Sequence, residues 1–223
     1  MDRSLVDPTP WDAAALGTAA YELRTCSPEA LAQMRLVPGH YTVRVDPLAS
    51  KKLLHDSGFY YCDTLLEPHC TVARFLGRRH ELAAVTRDPS LESVLAICHG
   101  AFTHGRFHRD FNVARACADL RYDRWLAQLH GEGRVHGLVF GSELAGFAAA
   151  LGGKLVLHAL AARFAGRGLA RHLWSALCEV LFAAGTDEIT SSISASNVAA
   201  LNLYAGLGFR FREPLDIYHR VIP

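Results

Sequence analysis

The sequence predicts an α/β (α+β) protein: helices around a mixed, mostly antiparallel sheet, with a smaller unit in front. Three observations carry this. Three apolar, strand-length stretches (135–141, 144–151 and 155–162) follow one another with turn residues between them, the pattern of an antiparallel meander. The third leads through Phe164-Ala165-Gly166-Arg167-Gly168-Leu169-Ala170 into 171–184, apolar at Leu173, Leu177, Val180 and Leu181, an amphipathic helix. A second strand-like run, 188–194, then precedes a short helical stretch, and 209–212 and 217–222 close the sheet.

Taken in order, residues 1–78 read as a distinct N-terminal α/β unit and 79–223 as the main domain. Residues 11–23 open the first. Ser27-Pro28-Glu29 starts a helix, with Ser27 as N-cap and Pro28 in the first turn. Residues 41–45 alternate as a strand, 51–57 form a short helix ending at Gly58, and 59–66 form another strand. In the main domain, 81–86 reads as a strand. Asp88-Pro89-Ser90 caps a helix reaching about His104, and a second helix covers 112–129 with Val113, Ala116, Leu120, Trp125 and Leu129 as its apolar positions. Leu53-Leu54-His55-Asp56-Ser57-Gly58-Phe59 echoes Leu203-Tyr204-Ala205-Gly206-Leu207-Gly208-Phe209: a helix stops at a glycine and a Phe enters the next strand. The echo suggests a partial copy of the main domain, although helix–Gly–Phe–strand is also a common local solution.

Composition excludes several function classes. Of 223 residues, 50% are hydrophobic and 20% charged, and the net charge is +1. That leaves ample core and no bulk attraction to nucleic acid or an anionic membrane. No run of about 18 apolar residues occurs, so no membrane span is expected. Asp2, Asp7 and Asp12 with two prolines do not make a secretory signal, and a cytoplasmic location is expected. Six scattered cysteines, none in a C-x-x-C pair, read as buried thiols of a reducing compartment, ahead of zinc or disulfides. His99, His104 and His108 cluster without a Cys or carboxylate at ligand spacing, so no metal is expected.

The chemistry points to the glycine-bearing loop. Glycines let the backbone bend closely round an anion, and the first N–H groups of the following helix lack internal partners. Those donors and the positive end of the helix dipole favour a phosphate. A tight turn without a ligand has the same local pattern. The order strand, Gly166-Arg167-Gly168 loop, helix, strand, then Asn197-x-x-Ala200-x-x-x-Tyr204 and Gly208-Phe209, resembles the GNAT N-acetyltransferase superfamily.

That resemblance implies the GNAT acetyltransferase fold, preceded by a partial GNAT-like N-terminal half, and acetyl-CoA as co-substrate. It implies that Ala165, Gly166, Arg167, Gly168, Leu169 and Ala170 hold the pyrophosphate. Arg167 reads equally as a solvated surface residue, and Ala165 stands where many members carry Gln or Arg. Leu160 and Ala162 would meet the pantetheine arm, with Asn197 bonding its amide or capping the next helix. Tyr204 would be the general acid for the departing thiolate; by position alone it reads as a core aromatic. No general base is evident; His158 is a candidate that also reads as a core histidine.

Within the superfamily the chain is similar to acetyltransferases of dTDP-linked amino-deoxy sugars, such as dTDP-fucosamine acetyltransferase. The shared features are the unit opening near Trp11, Ser57-Gly58-Phe59, Ala101-Phe102-x-x-x-Arg106-Phe107 and Tyr122-x-x-Trp125. The expected partner is then a small-molecule amine, a dTDP-amino-sugar, with no nucleic acid and no membrane; a homodimer is compatible with this. Arg106 or Arg109 would take a diphosphate, Phe107 or Phe111 would stack on thymine, and Asp110 would accept from a sugar hydroxyl or the amine, with His108 nearby. An ordinary polar loop is the competing reading of that segment. Two alternatives stay open: an acetyltransferase of another small amine or amino-acid conjugate, and a non-catalytic CoA-binding sensor.

Overall fold

The computed structural model describes residues 5–34 and 37–223. In the first part, β1 (Val6–Pro8), α1 (Pro10–Leu16), β2 (Ala20–Leu23), α2 (Pro28–Met34), β3 (Gly39–Val45), α3 (Lys52–Asp56) and β4 (Tyr60–Thr71) alternate. Then follow β5 (Ala83–Thr86), α4 (Leu91–Cys98), α5 (Arg115–Gly131), β6 (Val135–Phe140), β7 (Glu143–Leu151) and β8 (Lys154–Leu160). The chain closes with α6 (Ala170–Ala183), β9 (Glu188–Ser191), β10 (Ile193–Ser194), α7 (Val198–Gly206) and β11 (Arg210–Ile222). This is the mixed α/β architecture expected. No helix among the described residues is long and apolar enough to cross a membrane.

All strands join one sheet in the order β1-β2-β3-β11-β4-β9-β8-β7-β6-β5, with β10 on β4. Among the described residues, only β2–β3 and β8–β9 are parallel. The meander β6–β7–β8 forms as the sequence indicates. β11 links the two parts: Arg210 to His219 pair with β4, and Asp216 to Ile222 pair with β3. The two closing strands expected from the sequence are thus one strand. It is kinked at a register shift after Arg212, where Glu213 has φ 51° and Pro214 follows.

Packing explains the helices. α6 buries Leu173, Trp174, Leu177, Cys178 and Leu181 in a core shared with Ile189, Tyr204 and Phe209. A separate core inside the N-terminal part gathers Leu31, Met34, Tyr41, Leu54 and Phe59, closed by Tyr218 from β11. Caps fall where expected: Ser27 Oγ accepts from Ala30 N, Ser90 Oγ from Ser93 N and Asn197 Oδ1 from Ala200 N. Two details differ from the sequence reading. α4 stops at Cys98, six residues early, because Gly100 turns left-handed (φ 71°) and releases the chain into a long loop. The buried face of α5 is Ala118, Leu126 and Leu129; Leu120 faces out.

Candidate active site

The site begins where two parallel strands part. β8 and β9 pair only at Lys154–Thr190 and Leu155–Ser191. Beyond that point β8 continues to Leu160 with β7 on one side, while the other chain turns into β10 and pairs with Leu65 and Leu66 of β4. A wedge opens between 156–160 and 192–194. Both walls line a cleft of about 1230 Å³, which runs from the Ala162–Ala165 turn past His158 to Arg106 and Tyr122. One drug-sized ligand fills about 300–1,000 Å³, so this cleft has room for two bound molecules. The open side of β8 leaves backbone groups free to pair with an extended ligand.

At the mouth lies the glycine loop. A single 3₁₀ turn (Ala162–Phe164) leads to Gly166 and Gly168, both at φ 72°, and α6 follows. The N–H groups of Phe164 and Ala165 are used within the turn, and that of His172 bonds to Leu169 O. Between them, six consecutive N–H groups, Gly166 to Arg171, donate to no acceptor among the described residues. Backbone donors at a helix N-terminus, set by two left-handed glycines, are an arrangement that suits an anion; Gly166, Arg167, Gly168 and Leu169 themselves are not among the residues that line the cleft. Arg167 points back over the loop, with Nη1 3.5 Å from Arg163 O. Leu160, Ala162, Ala165, Ala170 and Asn197 all line the cleft.

Tyr204, on α7, is fully buried (0% exposed) and stays out of the cleft wall. Its hydroxyl lies 2.9 Å from Nε2 of His158, which does line the cleft. Burial pushes the Tyr204 phenol far above its ordinary value and holds the His158 imidazole down at about 4. Both groups are therefore neutral at pH 7. Trp174 stands edge-on to His158.

The residues expected to meet the acceptor divide. Arg106 lines the cleft, 4.8 Å over the Phe107 ring and 3.7 Å from the buried Asp12, which Arg121 also contacts at 2.9 Å. Phe107 touches the cleft but is 2% exposed, packed against His40 and His219. His108 points instead to Asp119 at 2.9 Å. Asp110 is buried behind Phe107. There its carboxylate accepts from His40 Nε2 (3.0 Å), His219 Nδ1 (2.8 Å), the Tyr60 hydroxyl (2.9 Å) and Asn112 N (2.8 Å). Phe111 lies outside, 78% exposed, against Tyr60. Neither His108 nor Asp110 is among the residues that line the cleft.

His40, Asp110 and His219 could in type hold a metal, since one ligand atom of each lies within 4.8 Å of the others. An ionised carboxylate only accepts, so in this arrangement both imidazoles donate to it. Four donors already satisfy the carboxylate without an ion.

Sequence reasoning missed Asp63, Ser194 and Trp174, all on the cleft wall. A signal existed for one of them: Asp63 is the single charged residue inside the 59–66 run.

Residues 101–209 match the Acetyltransferase (GNAT) family. Among curated proteins, none matches this chain. Solved structures similar to it include a GCN5-related N-acetyltransferase from Sphaerobacter thermophilus: 12% identity, TM-score 0.63, covering 97% of this chain and 76% of that one. An acetyltransferase of the GNAT family from Colwellia psychrerythraea gives 14% identity and TM-score 0.57 over 92% and 80%. A tandem GNAT protein from the clavulanic acid biosynthesis pathway gives 11% and 0.55 over 92% and 77%. Splayed strands, donor-rich loop and comparisons agree: the chain has the GNAT acetyltransferase fold.

Proposed function

We propose that this protein is an acetyl-CoA-dependent N-acetyltransferase that passes acetyl directly to the amine of a small molecule. One observation carries the reading: six unpartnered N–H groups stand at the mouth of a wedge between parting strands. The loop suits a pyrophosphate, and the wedge suits an extended amide-bearing arm with its thioester beside His158. In this reading Ala165 to Ala170 hold the diphosphate, Leu160 and Ala162 meet the arm, and Asn197 stands at its edge.

Tyr204 serves as proton source for the departing sulfur by way of His158. With Nε2 accepting from the phenol, the imidazole carries its proton on Nδ1. Giving that proton up, drawing one from Tyr204 and having the pair refilled by the proton that the attacking amine loses leaves both groups neutral, as their burial demands. Residues 1–78, with their own core, serve as a partial GNAT-like half that completes the acceptor end.

For the acceptor, the nucleotide-linked amino sugar suggested by sequence is supported by Arg44, Arg106 and Arg121 along one end of the cleft, which suit an anionic substrate. The covered Phe107 leaves less for a base to stack on. An amine bearing a carboxylate or phosphate, such as an amino-acid conjugate, fits the same guanidinium groups. The full burial of Tyr204 favours a second reading, a CoA-binding module without turnover.

The test is thiol release from acetyl-CoA with dTDP-amino-sugars, amino-acid conjugates and simple amines. Turnover with one class identifies the acceptor. Tight CoA binding with no turnover on any of them supports the sensor.

A further inference from the structure

We propose that Asp63 seats the acceptor's amine: its free carboxylate oxygen binds the substrate nitrogen as a cation and takes the proton that must leave before attack. This rests on the acetyl-transfer reading and adds a residue that neither the loop motif nor the fold assigns.

Asp63 is 0% exposed, yet it forms part of the cleft wall. Its Oδ1 accepts three hydrogen bonds: Ser194 Oγ at 2.7 Å, Thr64 N at 2.9 Å and Arg109 Nη1 at 3.0 Å. Its Oδ2 is equally buried and has no partner among the described residues. Buried acceptors are nearly always satisfied, and leaving one unmet costs about 1–3 kcal/mol, more when it is charged. An arrangement that loads one oxygen with three donors and leaves the other bare is complete once a ligand supplies a donor.

Position and charge say which donor. Ser194 belongs to β10, the strand that peels away from β8, so Asp63 stands beside the wedge proposed for the thioester. Asp63 is also the sole carboxylate among the described residues that line the cleft, whose cations include Arg44, Arg106, Arg121 and Lys154. Arg44 is paired with Glu22, and Arg106 and Arg121 with Asp12, so the bare Oδ2 of Asp63 is the unpartnered carboxylate oxygen that an ammonium entering the cleft can meet. The acceptor class that follows is a primary amine on a molecule whose remainder is anionic.

The shift of the Asp63 carboxyl runs in the direction the task needs. Burial raises its carboxyl above the ordinary range, against the pull of Ser194 and Arg109. The other titratable groups facing it, Cys62 on β4 and Tyr122 on α5, are held protonated by burial. In the step, one ammonium proton passes to Oδ2. The freed lone pair forms the C–N bond at the acyl carbon, and the C–S bond breaks with its pair on sulfur. The nitrogen's second proton returns to the His158–Tyr204 pair in place of the one that His158 passes to sulfur, so the products are the amide, the neutral thiol and protonated Asp63.

The test pairs wild type with Asp63→Asn, an isosteric change whose folding is checked by thermal melt. Crystals of each, grown with CoA, are soaked in methylammonium chloride. The expected result is a nitrogen within hydrogen-bond distance of Oδ2 in wild type and none in the variant. No nitrogen there in wild type overturns the proposal. On any amine the wild type turns over, D63N should lose at least 100-fold in kcat with CoA affinity unchanged; a loss under threefold overturns it. Should D63N fail to fold, Ser194→Ala replaces it. Removing that donor must move the acid limb of kcat/KM to higher pH, and an unmoved limb counts against Asp63. If calorimetry finds no CoA uptake, the acetyl-transfer reading fails, while the methylammonium soak still decides the amine site.

Discussion

The Tyr204 hydroxyl and Nε2 of His158 are 2.9 Å apart, and of the two only His158 meets the cleft. In the proposed reaction, a tyrosine that looks from sequence like a direct proton donor would work through an imidazole. Tyr204→Phe should lower kcat about 100-fold, within the usual range for loss of an acid–base group, and leave CoA affinity within about twofold. Steady-state kinetics with a calorimetric titration checks both. An unchanged kcat removes Tyr204 from the chemistry.

Stability should fall in mild acid. Burial lowers both His158 and His219 from 6.5 to about 4. Below pH 6.5 the unfolded chain takes up protons that the folded one refuses until about pH 4. Stability thus rises with pH across that window, by up to about 1.4 kcal/mol per pH unit for each group, and is flat above 7. Urea midpoints between pH 4 and 8 measure this, and His158→Gln should reduce the slope by about one proton. A flat profile from 4 to 7 contradicts it.

The glycines of the loop and of the α7 end should behave differently. At Gly166 a Cβ would meet nothing, so an alanine there costs only the left-handed strain, about 1–2 kcal/mol, and moves the donors. Gly166→Ala should weaken CoA binding about tenfold with a small change in Tm. At Gly208, φ is 88° and a Cβ would collide with the Arg74 carbonyl oxygen. Gly208→Ala should therefore destabilise well beyond Gly185→Ala, whose φ of 91° is similar but whose surroundings are open. Equal melting temperatures for those two variants would contradict the steric account.

Asp110→Asn should be costly. The amide presents an N–H to imidazoles that already donate, and breaking such a buried charged cluster costs about 3–5 kcal/mol. Chemical denaturation should show that loss, and Phe111→Ala next door, 78% exposed, should show little.

Local signals were legible in the sequence where short-range rules decide: the caps at Ser27, Ser90 and Asn197, the meander, and the loop around Gly166 and Gly168. Long-range pairing was not. Nothing in 188–194 says that the run breaks at Ser192 to send Ser194 toward β4, and that break opens the cleft. The Arg106–Phe111 segment read as a ligand loop because its residue types suit one. Residues far away in sequence, His40, Tyr60 and His219, instead claim Asp110, while Asp63 looked like an interruption in an apolar strand.

The most direct test is calorimetric titration of CoA into the purified protein. One molecule bound per chain, weakened about tenfold by Gly166→Ala, is the expected result. No heat of binding at saturating CoA would contradict the proposal that these backbone donors hold a pyrophosphate.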